Sequence, residues 1–106
     1  MDYLHLLDPS GGVEPPVDGI LSRTLLDDEH VKVLVFGFGA GQELSEHTAS
    51  MPALLQFVKG EADLTLGKDS ASAVPGTCVY MRPHLPHSVH AKTPVVMLLV
   101  LMKQGN

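Results

Sequence analysis

The chain has six histidines, one cysteine and no tryptophan. Imidazole is the side chain best able to ligate a metal, carry a proton or orient a ligand near neutral pH. His5 lies in the N-terminal segment and His30 in an acidic turn beside Glu29, which leaves His47, His84, His87 and His90. Three of those four fall within Arg82-Pro-His-Leu-Pro-His-Ser-Val-His90. Imidazoles grouped in this way are metal ligands or polar groups at a pocket mouth; the alternative is solvated histidines of a Pro-rich turn. If the segment is a strand, His87 shares a face with Val89, while Ser88 and His90 share the other. His87 and His90 therefore do not chelate one ion. Arg82 has a guanidinium that can clamp a carboxylate through two parallel hydrogen bonds, with a solvated strand-end residue as the alternative. Cys78 reads as a small buried hydrophobe, because no basic neighbour in sequence would favour its thiolate. Tyr80 reads as packing or as an orienting group, and Met51, Met81, Met97 and Met102 as adaptable core filler.

The elements that must position these residues read as strands. Asp8 to Asp18 holds Pro9, Gly11, Gly12, Pro15 and Pro16, a density of chain-breaking residues that predicts an extended arm, with the arm as a whole spanning residues 1–19. Val31 to Gly39 is rich in β-branched and aromatic residues, with glycines where the chain bends or is closely approached. Ala53–Val58 and Ala62–Leu66 flank the turn Lys59-Gly60-Glu61. Period-2 alternation turns Ala53, Leu55 and Phe57 inward and Gln56 outward. Thr77–Met81, Ser88–Ala91 and Val95–Met102 continue the pattern, and no long window has helical periodicity. The class is all-β, a sandwich or a barrel. Val95–Met102 is apolar on both faces, so its second face is buried either between two sheets of one chain or against a partner subunit.

A length of 106 residues supports one domain. The net charge of −5 and sequence pI near 5.5 exclude the basic footprint on which nucleic-acid binders rely. The lone Cys78 can form no internal disulfide, which suits a reducing compartment. Met1–Leu7 carries acid and no basic region, so no secretory signal is expected, and the apolar run Val95–Met102 is far short of the roughly 20 residues that span a bilayer. We expect a cytoplasmic domain with neither a membrane nor a nucleic-acid partner. Charged residues make up 18%, against about 25% for an average domain. A surface this poor in charge suggests that part of it is covered by a second copy, giving a homodimer through the N-terminal arm and the apolar tail strand.

Two histidine-bearing stretches resemble the motifs of the cupins, small β-barrels of the jelly-roll type. The first cupin motif reads G-x5-H-x-H-x3or4-E-x6-G, and Gly41, His47 and Gly60 occupy its first glycine, first histidine and last glycine without a gap. The second reads G-x5-P-x-G-x2-H-x3-N, and Gly76 and His87 stand at its opening glycine and its histidine. The resemblance covers Gly41 to Ala91, with motifs at 41–60 and 76–91. It implies a single-domain cupin over 1–106 of the RmlC-like, conserved-barrel (cupin 2) type, an all-β double-stranded β-helix or jelly roll. The departures bear on function. Metal-binding cupins draw two histidines and a glutamate from the first motif and a histidine from the second. Here Ala49 and Ala53 stand at the second histidine and the glutamate, and a methyl group donates no electron pair. Arg82, His84 and Ala91 replace the proline, glycine and asparagine of the second motif.

Three functional readings follow. In the first, a barrel made roomier and more apolar by the two alanines binds a small molecule, with His47, His87, Arg82 and Tyr80 as its orienting groups. In the second, the chain is a metal-dependent cupin enzyme, a dioxygenase, isomerase or decarboxylase, holding one divalent transition metal (Zn, Mn, Fe or Ni) between His47 and His87 with His84 as third ligand. In the third, the barrel is an oligomeric scaffold without ligand. We favour the first, because two histidines 40 residues apart occupy the positions that the resemblance brings together at the barrel mouth.

Overall fold

The computed structural model describes residues 2–103. Nine strands follow in chain order: β1 Ile20–Asp27, β2 Val31–Phe38, β3 Glu43–His47, β4 Ala53–Lys59, β5 Ala62–Leu66, β6 Asp69–Ala73, β7 Cys78–Met81, β8 His87–Ala91 and β9 Val95–Met102. They form two antiparallel sheets, β1-β2-β9-β4-β7 and β3-β8-β5-β6. No helix among the described residues is long and apolar enough to cross a membrane. The all-β class read from the sequence is what the chain adopts. Three strands escape the sequence pattern: β1 (ILSRTLLD), β3 (ELSEH) and β6 (DSASA). Their residues are mostly exposed, and small or charged side chains on an outer face carry no hydrophobic alternation to find.

The space between the sheets is filled from alternate positions of the strands. Phe38, Phe57, Leu64, Val89, Val95 and Met97 are fully buried there, joined by Ala53, Leu55 and Met81. The alternation expected for β4 holds, with Ala53, Leu55 and Phe57 buried and Gln56 exposed. On β8, His87, Val89 and Ala91 face inward while Ser88 and His90 face out. The Phe38, Phe57, Met81 and Met97 side chains lie in this core beside the small Ala53.

The second face of β9 is covered within the same chain along its first half, Val95–Leu98. Val96 and Leu98 join Val33, Val35 and Val13 in a second apolar cluster on the outside of the five-stranded sheet. Val13 arrives there because residues 8–13 do not run extended. Asp8 accepts hydrogen bonds from the Ser10 backbone N–H at 3.0 Å and the Ser10 hydroxyl at 2.8 Å, and the Gly11 and Val13 N–H groups bond back to the Asp8 and Ser10 carbonyls. The Ser10 N–H, with its hydroxyl in support, holds the Asp8 carboxyl below its ordinary value of 3.8. The chain then crosses the end of β2 so closely that a Cβ on Gly39 would lie 2.6 Å from the Val17 carbonyl oxygen. The arm is thus a strap on its own sheet, and glycine is needed beneath it. Gly60, between β4 and β5, has φ of +82°, and a Cβ there would meet the Pro94 carbonyl oxygen at 2.0 Å.

Candidate functional site

His47 and His87 come together across the β3–β8 ladder, where they are register partners. Regular alternation from Leu44, which faces the core opposite Val89, would point His47 outward. Between Leu44 and His47, however, β3 takes three steps where β8 takes two from Val89 to His87. The extra residue is a β-bulge, which re-aims the following side chain, and it returns His47 to the face it shares with His87. The ring centroids lie 4.2 Å apart with the planes inclined by 56°.

Both rings are held in the same way. His47 Nδ1 lies 2.8 Å from the Ser45 carbonyl oxygen, and His87 Nδ1 lies 2.8 Å from that of Leu85. A carbonyl oxygen only accepts, so each Nδ1 carries the proton and each neutral ring keeps its lone pair on Nε2. His87 is 7% exposed, whereas His47 is open to solvent. No buried side-chain nitrogen or oxygen among the described residues lacks a partner. The pair therefore runs from the apolar core, beneath His87, to the solvent at His47. Chemically it offers two adjacent acceptors of fixed tautomer.

The other expected site residues do not join the pair. His84 is exposed in the loop before β8, at φ of +69°, and its backbone N–H donates to the Ala49 carbonyl at 2.7 Å. That bond docks the 82–86 loop on the segment after β3, and His84 forms no metal-holding group of three with His47 and His87. Tyr80 is 57% exposed on the outer face of β7, because Val79 and Met81 take the inward positions. Arg82 follows the buried Met81 and is exposed. Cys78 is exposed on the same edge strand, which corrects its reading as a buried hydrophobe: β7 is out of phase with that assignment. Ala53, where the cupin motif has its glutamate, is 2% exposed and packed in the core.

No protein-family model matches the chain, and no curated protein matches it in sequence. Solved structures do match in fold. A conserved protein of unknown function from Streptococcus pyogenes superposes with a TM-score of 0.86 at 27% identity, over 100% of this chain and 93% of that one. A cupin superfamily protein from Desulfitobacterium hafniense DCB-2 gives 0.86 at 22% identity, over 98% and 95%. A cupin 2 conserved barrel domain protein from Leptotrichia buccalis gives 0.79 at 27% identity, over 86% of this chain and 44% of that one. The chain folds as a cupin. In this chain the donor set does not fit the four-ligand metal site that the motifs imply. Ala49 and Ala53 supply no donor, and no three His, Cys, Asp or Glu side chains among the described residues converge on a point where an ion would sit.

Sequence reasoning passed over the outer face of the smaller sheet. Its polar side chains line a groove of about 350 Å³ that contains His90, Glu43 and Asp63. The alternation of Ala62-Asp-Leu-Thr-Leu66 places Asp63 and Thr65 outward, and the strand pairing sets them beside His90 and Ser88.

Proposed function

We propose that this cupin binds a small molecule at the barrel mouth, oriented by the Nε2 lone pairs of His47 and His87. The observation that carries the reading is the 4.2 Å apposition of two imidazoles whose Nδ1 positions are both tied to backbone carbonyls. Held hydrogen-bond acceptors at the edge of an apolar core are the usual character of a small-ligand site. Two adjacent acceptors select a ligand with neighbouring donors, such as the vicinal hydroxyls of a sugar or hydroxy acid. Arg82 and Tyr80, turned to the outside, take no part.

The test is a thermal-shift screen of sugars, hydroxy acids and divalent metals, since a ligand that favours the folded state raises apparent stability by mass action. The account expects a hydroxylated ligand to raise the melting temperature, and His47→Ala, an exposed position, to abolish the shift while the protein stays folded. A shift given only by Zn, Mn, Fe or Ni, with stoichiometric metal in untagged protein that is lost in His47→Ala, would instead favour a metal-dependent enzyme. No response to any class would leave the oligomeric scaffold. The proposed homodimer rests on the low charge, on the half-buried end of β9 (Leu99–Met102) and on the exposed Tyr3, Leu7 and Val17 of the arm. Light scattering at micromolar concentration should give twice the 11.3 kDa chain mass, and a monomer mass refutes it.

A further inference from the structure

Among the described residues His84 is the one non-glycine with a positive φ, +69°. Histidine enters this left-handed region more readily than most residues, but a side chain there is crowded, and the conformation persists where the surroundings over-determine it. The local sequence does so. In Arg82-Pro-His-Leu-Pro86 the two prolines fix φ at 83 and 86, and each biases the residue before it, Arg82 and Leu85, to extended backbone. The freedom of the segment is thereby concentrated in His84. Pro83 and His84 form the turn, and a proline followed by a positive φ is the signature of a type II turn.

Both sides of this turn are tied down, and each tie leads to one ring of the barrel mouth. The His84 N–H donates to the Ala49 carbonyl at 2.7 Å, two residues after His47. Past the turn the Leu85 side chain packs against the core, and the Leu85 carbonyl accepts from His87 Nδ1 at 2.8 Å. The Pro86 carbonyl then accepts from the Gly67 N–H at 2.8 Å. A φ in the right-handed region at residue 84 would rotate the chain after it by roughly 120–160° relative to the N–H held by Ala49. The Leu85 carbonyl would swing off His87.

We propose that His84 is a positioning residue for the mouth, and that its left-handed backbone, not its imidazole, aims the Leu85 carbonyl at His87 Nδ1 and so keeps the His87 lone pair on Nε2. The inference rests on the reading of the His47–His87 pair as the group that orients a ligand. It is tested by nitrogen-15 spectra of the histidine rings in alkaline buffer. His84→Asn gives up the imidazole but accepts the left-handed region, and should keep the His87 proton on Nδ1. His84→Val has a branched Cβ that makes a positive φ an outlier. It should raise the Nε2–H fraction of His87 about fivefold, the worth of one hydrogen bond, while His47, tied to the Ser45 carbonyl within β3, stays Nδ1–H. Pro86→Ala, at an exposed position, returns freedom to Leu85 and should move the same fraction in the same direction, so the test stands even where circular dichroism shows His84→Val to be unfolded. A role confined to stability would lower the melting temperature and leave the His87 ring of the folded protein unchanged. An Nδ1–H ring in the wild type that is unmoved by these two substitutions overturns the proposal and leaves the mouth reading standing. An equal shift in His84→Asn also overturns it, by assigning the effect to the imidazole. A wild-type His87 with its proton on Nε2 overturns the mouth reading and this proposal with it.

Discussion

Replacing Gly39 by alanine isolates the contribution of the N-terminal strap. Gly39 does not have a positive φ, so alanine brings no backbone strain of its own. The whole effect comes from the new Cβ, 2.6 Å from the Val17 carbonyl oxygen and 2.8 Å from that of Pro16. Those are backbone atoms and cannot rotate away, so the strap must lift. What is lost is what the strap contributes by docking, chiefly the burial of Val13, which is 5% exposed. A fully buried valine is worth about 1.5–2 kcal/mol, and the lost contacts of Pro15 and Pro16 bring the total to about 2–3 kcal/mol. In a domain of this size that lowers the melting temperature by roughly 8–20 °C. Urea denaturation of Gly39→Ala, Val13→Ala and the double variant measures the coupling. Val13→Ala alone should cost about 1.5 kcal/mol, since two buried methyl groups are deleted. In the Gly39→Ala background it should cost under about 0.5 kcal/mol, because Val13 has already left the sheet. Additive effects within experimental error would refute the reasoning, since they would mean that the strap does not pass over Gly39.

Gly60→Ala should be more damaging than Gly39→Ala, losing at least about 3 kcal/mol by thermal or chemical unfolding, because left-handed strain adds to a Cβ placed 2.0 Å from the Pro94 carbonyl oxygen. The strap should loosen in acid. The Asp8 carboxyl titrates below its ordinary value of 3.8 because the Ser10 N–H and hydroxyl bond its ionised form. A depressed folded value gives stability that is present above the unfolded value and lost as the pH falls through the folded one. The protection of the Gly11–Val13 amides, referred to their intrinsic exchange rates, should therefore fall below about pH 3.8, ahead of the core, and Asp8→Asn should flatten that dependence. Tyr80→Ala and Arg82→Ala, both exposed, should change stability by no more than about 0.5 kcal/mol and leave the ligand response of the mouth intact, whereas a lost response would return them to the site.

The fold was legible wherever one face of a strand meets the core. Ala53, Leu55 and Phe57 alternate with Gln56 because burial enforces the period, and the boundaries of Ala62–Leu66 and Val95–Met102 match those read from the sequence. The meeting of His47 with His87 was legible through motif register but not through local periodicity, because the bulge after Leu44 breaks the alternation on which periodicity depends. Tyr80 and Cys78 were misplaced for a simpler reason. The inward phase of β7 is fixed by Val79 and Met81, and a strand of four residues gives too little pattern to choose the phase from sequence. The groove around His90 passed unseen because small polar residues read as solvated surface, and only the pairing of β8 with β3 and β5 assembles Glu43, His90 and Asp63 in one row.

The protonation of the two facing imidazoles tests the central claim most directly. Nitrogen-15 NMR of the histidine rings in alkaline buffer reports which ring nitrogen carries the proton. The account predicts the Nδ1–H form for both His47 and His87, an Overhauser contact between the two rings, and a shift of both Nε2 resonances when a hydroxylated ligand binds. A proton on Nε2 of either ring, or rings with no mutual contact, would contradict it.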